Sequence, residues 1–315
     1  MSNLKSLNSR KTVGTRNIMF EIKRDWMLYM LLILPMAFFL VFKYVPMYGV
    51  TIAFKDFNLF QGILKSPWVG WDVFKEVFSM PEFYRALRNT AMLNLLDLIV
   101  GFPAPIILAI LLNEIRMNWF KRTAQTILYL PYFLSWIIIG GIVTQLLAPQ
   151  SGLVNIFFKS LGMLPVPFLT EKWHWLLTYC LVGVWQSSGW GTIIYLAAIT
   201  SINHELYDAA EVDGAGRLRR IWHITLPGIK NTIIILLILN LGRILTLTFD
   251  RPYIIGNSYV IEFSDVLSTF VYRVGLQSMR YSLATAVGLF QSAVGMIFLL
   301  VTNFIANKCG EEGIW

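Results

Sequence analysis

Arg243 stands near the middle of an otherwise apolar run, with Asn240 three residues before it and Thr246 three after, on roughly one face of a helix. An ionisable side chain inside a membrane span costs about 2.5–3.5 kcal/mol on insertion scales, so it faces protein or a wet cavity. A second apolar run carries Trp185, Gln186, Ser187, Ser188 and Trp190, with Gly183, Gly189 and Gly191 around them. A third offers Tyr132, Ser135 and Trp136 after Pro131. Flat aromatic faces suit the C–H surface of a sugar ring, and amides and hydroxyls suit its OH groups. The chemistry these clusters could do is recognition of a polyhydroxylated solute. Their competing role is adhesion between helices, which Ser, Thr, Asn and Gln perform in many membrane proteins. Asn94, Asp97 and the small-residue stripe Ala284, Gly288, Ser292 are read as packing features. Arg243 needs compensation, either from an acid such as Asp97 on a neighbouring helix, or from hydroxyls or a carboxylate on a passing molecule, which guanidinium grips in two-pronged fashion.

Bond-breaking chemistry finds no support. The chain has no Gly-x-x-x-x-Gly-Lys-[Ser/Thr] phosphate loop, no His-Glu-x-x-His and no Gly-x-Ser-x-Gly element. The three histidines, His174, His204 and His223, are scattered. Two cysteines, Cys180 and Cys309, give neither a disulfide framework nor a metal site. A net charge of +8 is spread over loops rather than gathered in a stripe, so nucleic acid is not an expected partner.

The elements that must position these residues are membrane spans. Of 315 residues, 56% are hydrophobic and only 14% charged, against about 25% charged in a soluble domain. A bilayer core needs roughly 20 apolar residues per helix. Runs at 26–45 (with Pro35 as a kink), 90–112, 124–147, 173–199, 229–249 and 282–306 meet that need and predict an all-α polytopic protein with about six transmembrane helices. Lys5, Arg10, Lys11, Arg16, Lys23 and Arg24 precede the first run, Arg116, Lys121 and Arg122 lie between the second and third, and Arg217, Arg219 and Arg220 between the fourth and fifth. With an even number of spans all of these, and both termini, share the cytoplasmic side of the cell membrane. This divides the chain into a tail (1–25), a transmembrane domain (26–306) and a second tail (307–315). The aromatic outer segment 48–85 reads as folded at the membrane interface.

The loop between the fourth and fifth runs carries the sharpest pattern. Asn203 or Asp208 can cap a short helix with acids in its first turn. Ala209 and Ala210 leave room for another surface, Gly214 and Gly216 permit a turn, and Pro227 enters the next helix where its missing N–H does no harm.

Asp208-Ala209-Ala210, three residues, Gly214, nine residues, then Ile224-Thr225-Leu226-Pro227 resembles the signature loop of binding-protein-dependent ABC importer permeases, whose usual form begins Glu-Ala-Ala. Phe83 to Thr90, Phe120-Lys121-Arg122-Thr123 with Leu130-Pro131, and Gly152-Leu153-Val154-Asn155 resemble that family's maltose-type carbohydrate branch. Phe57-Asn58-Leu59-Phe60 and Ser66-Pro67-Trp68-Val69-Gly70 resemble its polysaccharide and oligosaccharide permeases from Gram-positive bacteria. The resemblance implies a type I importer permease fold and a coupling loop over 201–228. In it, Asp208, Ala209, Ala210, Asp213, Gly214, Ala215, Arg217, Ile224, Leu226 and Pro227 meet a separate, dimeric ATPase. It implies a substrate pathway through Tyr132, Ser135, Trp136, Trp185, Gln186, Ser187, Trp190, Asn240, Arg243 and Thr246. It also implies a second, related permease, an extracellular solute-binding protein, and no cofactor on this chain, ATP and Mg being held by the ATPase. An ion-coupled secondary sugar carrier, or a permease for another solute, is the alternative.

Overall fold

Long apolar runs in a chain that must satisfy its own backbone hydrogen bonds can only become helices, and they do. The computed structural model describes residues 25–245 and 249–308, and no strand occurs among them beyond an isolated bridge between Lys55 and Trp68. The basic residues before Asp25, Thr246 and Cys309 fall outside the described residues. The chain forms two compact units, Met1–Thr51 and Ile52–Trp315.

In the first unit, α1 (Trp26–Phe39) contains Pro35 without ending there, and it buries none of its residues. A helix apolar on every side with no protein cover suits lipid.

The second unit is built from α2 (Asp72–Ser79), α3 (Pro81–Glu114), α4 (Asn118–Tyr129), α5 (Trp136–Leu147), α6 (Leu153–Ser160), α7 (Lys172–Thr200), α8 (His204–Val212), α9 (Arg217–Gly228), α10 (Lys230–Leu241), α11 (Asp250–Ile255), α12 (Leu267–Val271) and α13 (Tyr281–Lys308), with shorter turns between them. Three helices, Trp26–Phe54, α3 and α13, are long and apolar enough to cross a bilayer, and two bent pairs bring the number up to five. The remaining expected span is α7. Its 29 residues reach about 44 Å at 1.5 Å per residue, and the polar side chains it carries dilute its hydropathy.

Two expected spans are not continuous. The run 124–147 breaks between α4 and α5, which meet at 103°. Pro131 lies in a short 3-10 turn, Leu130–Phe133, and the Ser135 hydroxyl then accepts from the Ile138 N–H at 3.4 Å to start a new helix. The run 229–249 holds only 12 helical residues in α10, about 18 Å and too short for a bilayer core by itself. It continues backwards into α9 through a 59° bend.

Helix α7 forms the hub. Trp175 and Tyr179 are fully buried beside Leu93 of α3 and Ile255 of α11, and the Trp175 indole donates to the Ile255 carbonyl at 3.0 Å. Toward its other end, Tyr195 and Ile199 pack with Ala109 of α3 and Ile229. Phe83, Phe270, Leu283 and Val287 bind α3, α12 and α13 together with Val73, Phe74 and Val77 of α2. The aromatic stretch before α3 is folded, with Phe54 stacked on Trp68 at 5.6 Å and edge-on to Trp71 at 5.5 Å.

Close approach to α7 depends on missing side chains. A Cβ on Gly189 would sit 2.0 Å from the Leu128 carbonyl oxygen, and one on Gly191 would sit 2.9 Å from Pro105. The stripe on α13 behaves less uniformly than expected. Ala284 packs against Gly275, but a Cβ on Gly288 would meet open space. The tight crossing is one turn or more further on, where Gly295 faces the Gly242 carbonyl.

Candidate functional site

A cavity of about 450 Å3 opens between α3, α7 and α10, within the range of small-molecule sites. Asp97, Leu98, Gly101 and Pro105 line it from α3, at and after the π turn Asp97–Gly101. Gly183, Ser187, Trp190, Gly191 and Ile194 line it from α7. Their spacing of roughly three to four residues places them on one helical face. Asn240 and Arg243 close it from α10 and the turn that follows, and Arg251 from α11.

Arg251 is the best-held charge in this region. The residue is only 7% exposed, and its guanidinium makes two hydrogen bonds to the Asp97 carboxylate, at 2.9 and 3.1 Å. It also donates to the Tyr179 carbonyl at 2.5 Å and lies 3.6 Å from the centre of the Tyr179 ring. Room for it comes from Gly183, where a Cβ would fall 2.3 Å from the guanidinium carbon. The partner proposed for Arg243 is thereby taken. Asp97 belongs to Arg251, because Arg251 lies in the Gly183 notch, where its Nη1 donates to both Asp97 oxygens and its Nη2 to the Tyr179 carbonyl. The Arg243 side chain has no hydrogen-bond or ion-pair partner among the described residues and is exposed on the cavity wall. Asn94 does serve helix packing, donating to the Ile244 carbonyl at 2.7 Å.

Of the residues expected along the pathway, Ser187, Trp190, Asn240 and Arg243 come together on this wall. Tyr132 lies just behind it, stacked face to face on Trp190 at 4.9 Å. Ser135 caps α5, and Trp136 sits 5.9 Å from Arg251 in the packed interior. Trp185 and Gln186 are not on the wall: at about 100° per residue Trp185 falls on the opposite side of the helix from Ser187, and Gln186 lies beyond Trp190 at the margin of the lining face. Thr246 is outside the described residues. Sequence reasoning missed Arg251 and the Gly183 notch. Arg251 reads as a loop residue between Asp250 and Pro252, and its partner is 154 positions away.

The loop 201–228 forms a helix, a turn and a second helix. Asn203, not Asp208, caps α8, accepting from the Glu205 N–H at 3.0 Å. Gly214 adopts φ +73°, the left-handed conformation its lack of a side chain permits, while Gly216 is extended and precedes α9. Tyr207 and Thr225 share a hydrogen bond of 2.9 Å, and Arg220 pairs with Glu211 at 2.8 Å, holding the two helices together. Asp208, Ala209, Asp213 and Arg217 remain exposed, and Val212 is 90% exposed. Ile224 and Leu226 are half-buried against the unit, and Pro227 lies in the last turn of α9. The loop therefore presents a preformed, partly apolar and exposed surface.

Comparison with known proteins agrees with this arrangement. Residues 101–308 match the family of binding-protein-dependent transport system inner membrane components. Protein LplB of Bacillus subtilis is 46% identical over 297 residues, covering 94% of this chain and 93% of its own. The polygalacturonan/rhamnogalacturonan transport system permease protein YteP of the same organism is 44% identical, covering 95% and 94%. A crystal structure of a bacterial ABC transporter involved in the import of the acidic polysaccharide alginate contains a chain 40% identical, with a TM-score of 0.85 over 92% of this chain and 98% of that one. The same kind of transporter in complex with an alginate pentasaccharide-bound periplasmic protein gives 39% identity and a TM-score of 0.85. This all-α chain, with several membrane-crossing helices, an exposed two-helix loop and a lined cavity between α3, α7 and α10, belongs to the binding-protein-dependent transport system inner membrane components: it is a multi-pass permease subunit, not an enzyme.

Proposed function

We propose that this permease carries an oligosaccharide through the cavity between α3, α7 and α10. The observation that bears most weight is the lining itself: the Trp190 face, the Asn240 amide, the Ser187 hydroxyl and the Arg243 guanidinium around about 450 Å3. That mixture suits a sugar ring better than an apolar solute or a small ion. The similar proteins support the class, since they include a polygalacturonan/rhamnogalacturonan permease and a transporter involved in the import of the acidic polysaccharide alginate.

In this reading the domain 26–306 lies in the cell membrane with both termini and the loop 201–228 in the cytoplasm. An extracellular binding protein delivers the sugar, and a second, related permease completes the pathway. A pair of ATPase subunits, holding ATP and Mg, receives α8 through Asp208, Ala209, Ala210, Asp213, Gly214, Ala215 and Arg217. Ile224, Leu226 and Pro227 fix the following helix to the membrane domain. ATP closes the ATPase pair, the loops move together, and the spans rock from inward-facing to outward-facing. An ion-coupled carrier would need a free acid in its pathway, and Asp97 is engaged by Arg251.

The test is uptake of labelled oligosaccharides by proteoliposomes holding the assembled complex and its binding protein. Uptake should require ATP on the loop side and survive a protonophore. Uptake that persists without ATP and collapses with the protonophore would refute the proposal.

A further inference from the structure

The charges on the cavity wall do not cancel. Asp97, Arg251 and Arg243 line it, and Asp97 gives both carboxylate oxygens to Arg251. One positive charge, on Arg243, is left without a partner among the described residues. The neutral groups nearby have spent most of their donors, one N–H of each asparagine and the single O–H of Ser187. The Asn240 amide donates to the Leu236 carbonyl at 2.8 Å, Ser187 to the Gly183 carbonyl at 2.8 Å, and Asn94 to Ile244 at 2.7 Å. Their oxygens remain to accept from sugar hydroxyls, but a ligand that brings acceptors meets chiefly the Arg243 guanidinium. A hydroxyl oxygen answers a single N–H of a guanidinium, whereas a carboxylate matches its planar fork in two-pronged geometry.

We infer that the transported saccharide is anionic, that Arg243 reads its carboxylate, and that Asp97 keeps Arg251 from doing the same. This rests on the saccharide reading above. Arg251 is then a positioning residue, locked on Asp97 and the Tyr179 carbonyl, while Arg243 sets specificity. Trp190, braced by Tyr132, supplies the ring-stacking face beside the charge. The lock has a consequence: removing the negative charge of Asp97 would add a second free cation to the wall rather than weaken selection for an anion.

The experiment uses the complete complex in lipid nanodiscs without its binding protein, so that only the membrane pathway selects. The probes are tetragalacturonate and tetramannuronate with their fully methyl-esterified counterparts, which keep the ring and lose the charge. Binding is measured by calorimetry. The wild type should prefer the acids by about tenfold or more, near 1.4 kcal/mol, with the preference shrinking as salt rises. Arg243→Gln should abolish the preference, and Arg243→Lys should retain part of it, having the charge without the planar fork. Asp97→Asn should widen it. If Asp97→Asn does not assemble, the two Arg243 variants still decide. Equal binding of acid and ester by the wild type, or a preference that survives Arg243→Gln, overturns the inference and leaves the saccharide reading standing. Binding of neither form, together with no ATP-dependent uptake of any neutral or acidic oligosaccharide, overturns both.

Discussion

Gly189 provides the sharpest test of how the cavity is framed. In an alanine variant the new Cβ would lie 2.0 Å from the Leu128 carbonyl oxygen, 2.7 Å from its carbon and 3.0 Å from the Tyr129 Cα. Ordinary contact requires roughly 3.5 Å, so α4 and α7 would have to separate by more than 1 Å. No rotamer change relieves this, because the obstacle is backbone. A radial gap of 0.5–1 Å already forfeits about a quarter to a half of the dispersion attraction across a packed surface, and overpacking costs about 1–3 kcal/mol. With backbone on both sides the upper end applies, about 3 kcal/mol. Gly288 on α13 serves as the control, since its Cβ would meet nothing within 4 Å. There alanine only restores helix propensity, worth about 0.5–1 kcal/mol. Thermal unfolding of the purified complex, followed by tryptophan fluorescence or a thiol-reactive dye, should show Gly189→Ala melting several degrees below wild type. Gly288→Ala should melt at or slightly above it. Equal melting of the two variants would mean that α4 does not approach α7 through Gly189, and the cavity wall described here would be wrong.

Other expectations follow from the same geometry. Asp97→Asn or Arg251→Gln alone should destabilise the complex by about 3 kcal/mol, since each leaves a partly buried charge unpaired, whereas the double variant should recover much of that loss; an additive double-mutant cycle would refute the pairing. Gly214→Val forces a branched residue to the observed φ of +73°, at about 1–2 kcal/mol. It should abolish sugar-stimulated ATP hydrolysis while docking of the external binding protein stays intact, and unchanged stimulation would count against the coupling role. Single cysteines at Arg219 and Lys121 should react with an impermeant reagent only in opened cells, and those at Lys65 and Lys159 in intact cells. Reaction of position 219 from outside would invert the proposed topology.

What the sequence made legible was local. The cap at Asn203 and the left-handed turn at Gly214 follow from short-range chemistry, and the structure holds both; Pro227 sits instead in the last turn of α9, ahead of the bend into α10. Runs rich in apolar residues became helices where expected. The break before α5 was harder, because the residues around it are uniformly apolar and hydropathy averages across a bend. The signals were present in Pro131 and in Ser135 as a helix cap, but a loop between two helices inside a bilayer depends on what surrounds it.

The ionisable residues expose the deeper limit. Sequence says that Arg243 and Asp97 each need compensation and places both in spans, so pairing them is the economical solution. It fails because pairing is decided by reach and by competing donors. Arg251 enters over Gly183 of α7, where no Cβ stands in the way. Once there, it also gains the Tyr179 carbonyl and the Tyr179 ring, which a residue on the α10 side of the cavity does not reach. The competition for Asp97 is thus settled by a missing methyl group some 70 residues away in sequence from the arginine it admits. Arg243 is left exposed on the wall as the consequence, and the free charge there is set by a glycine that never touches it.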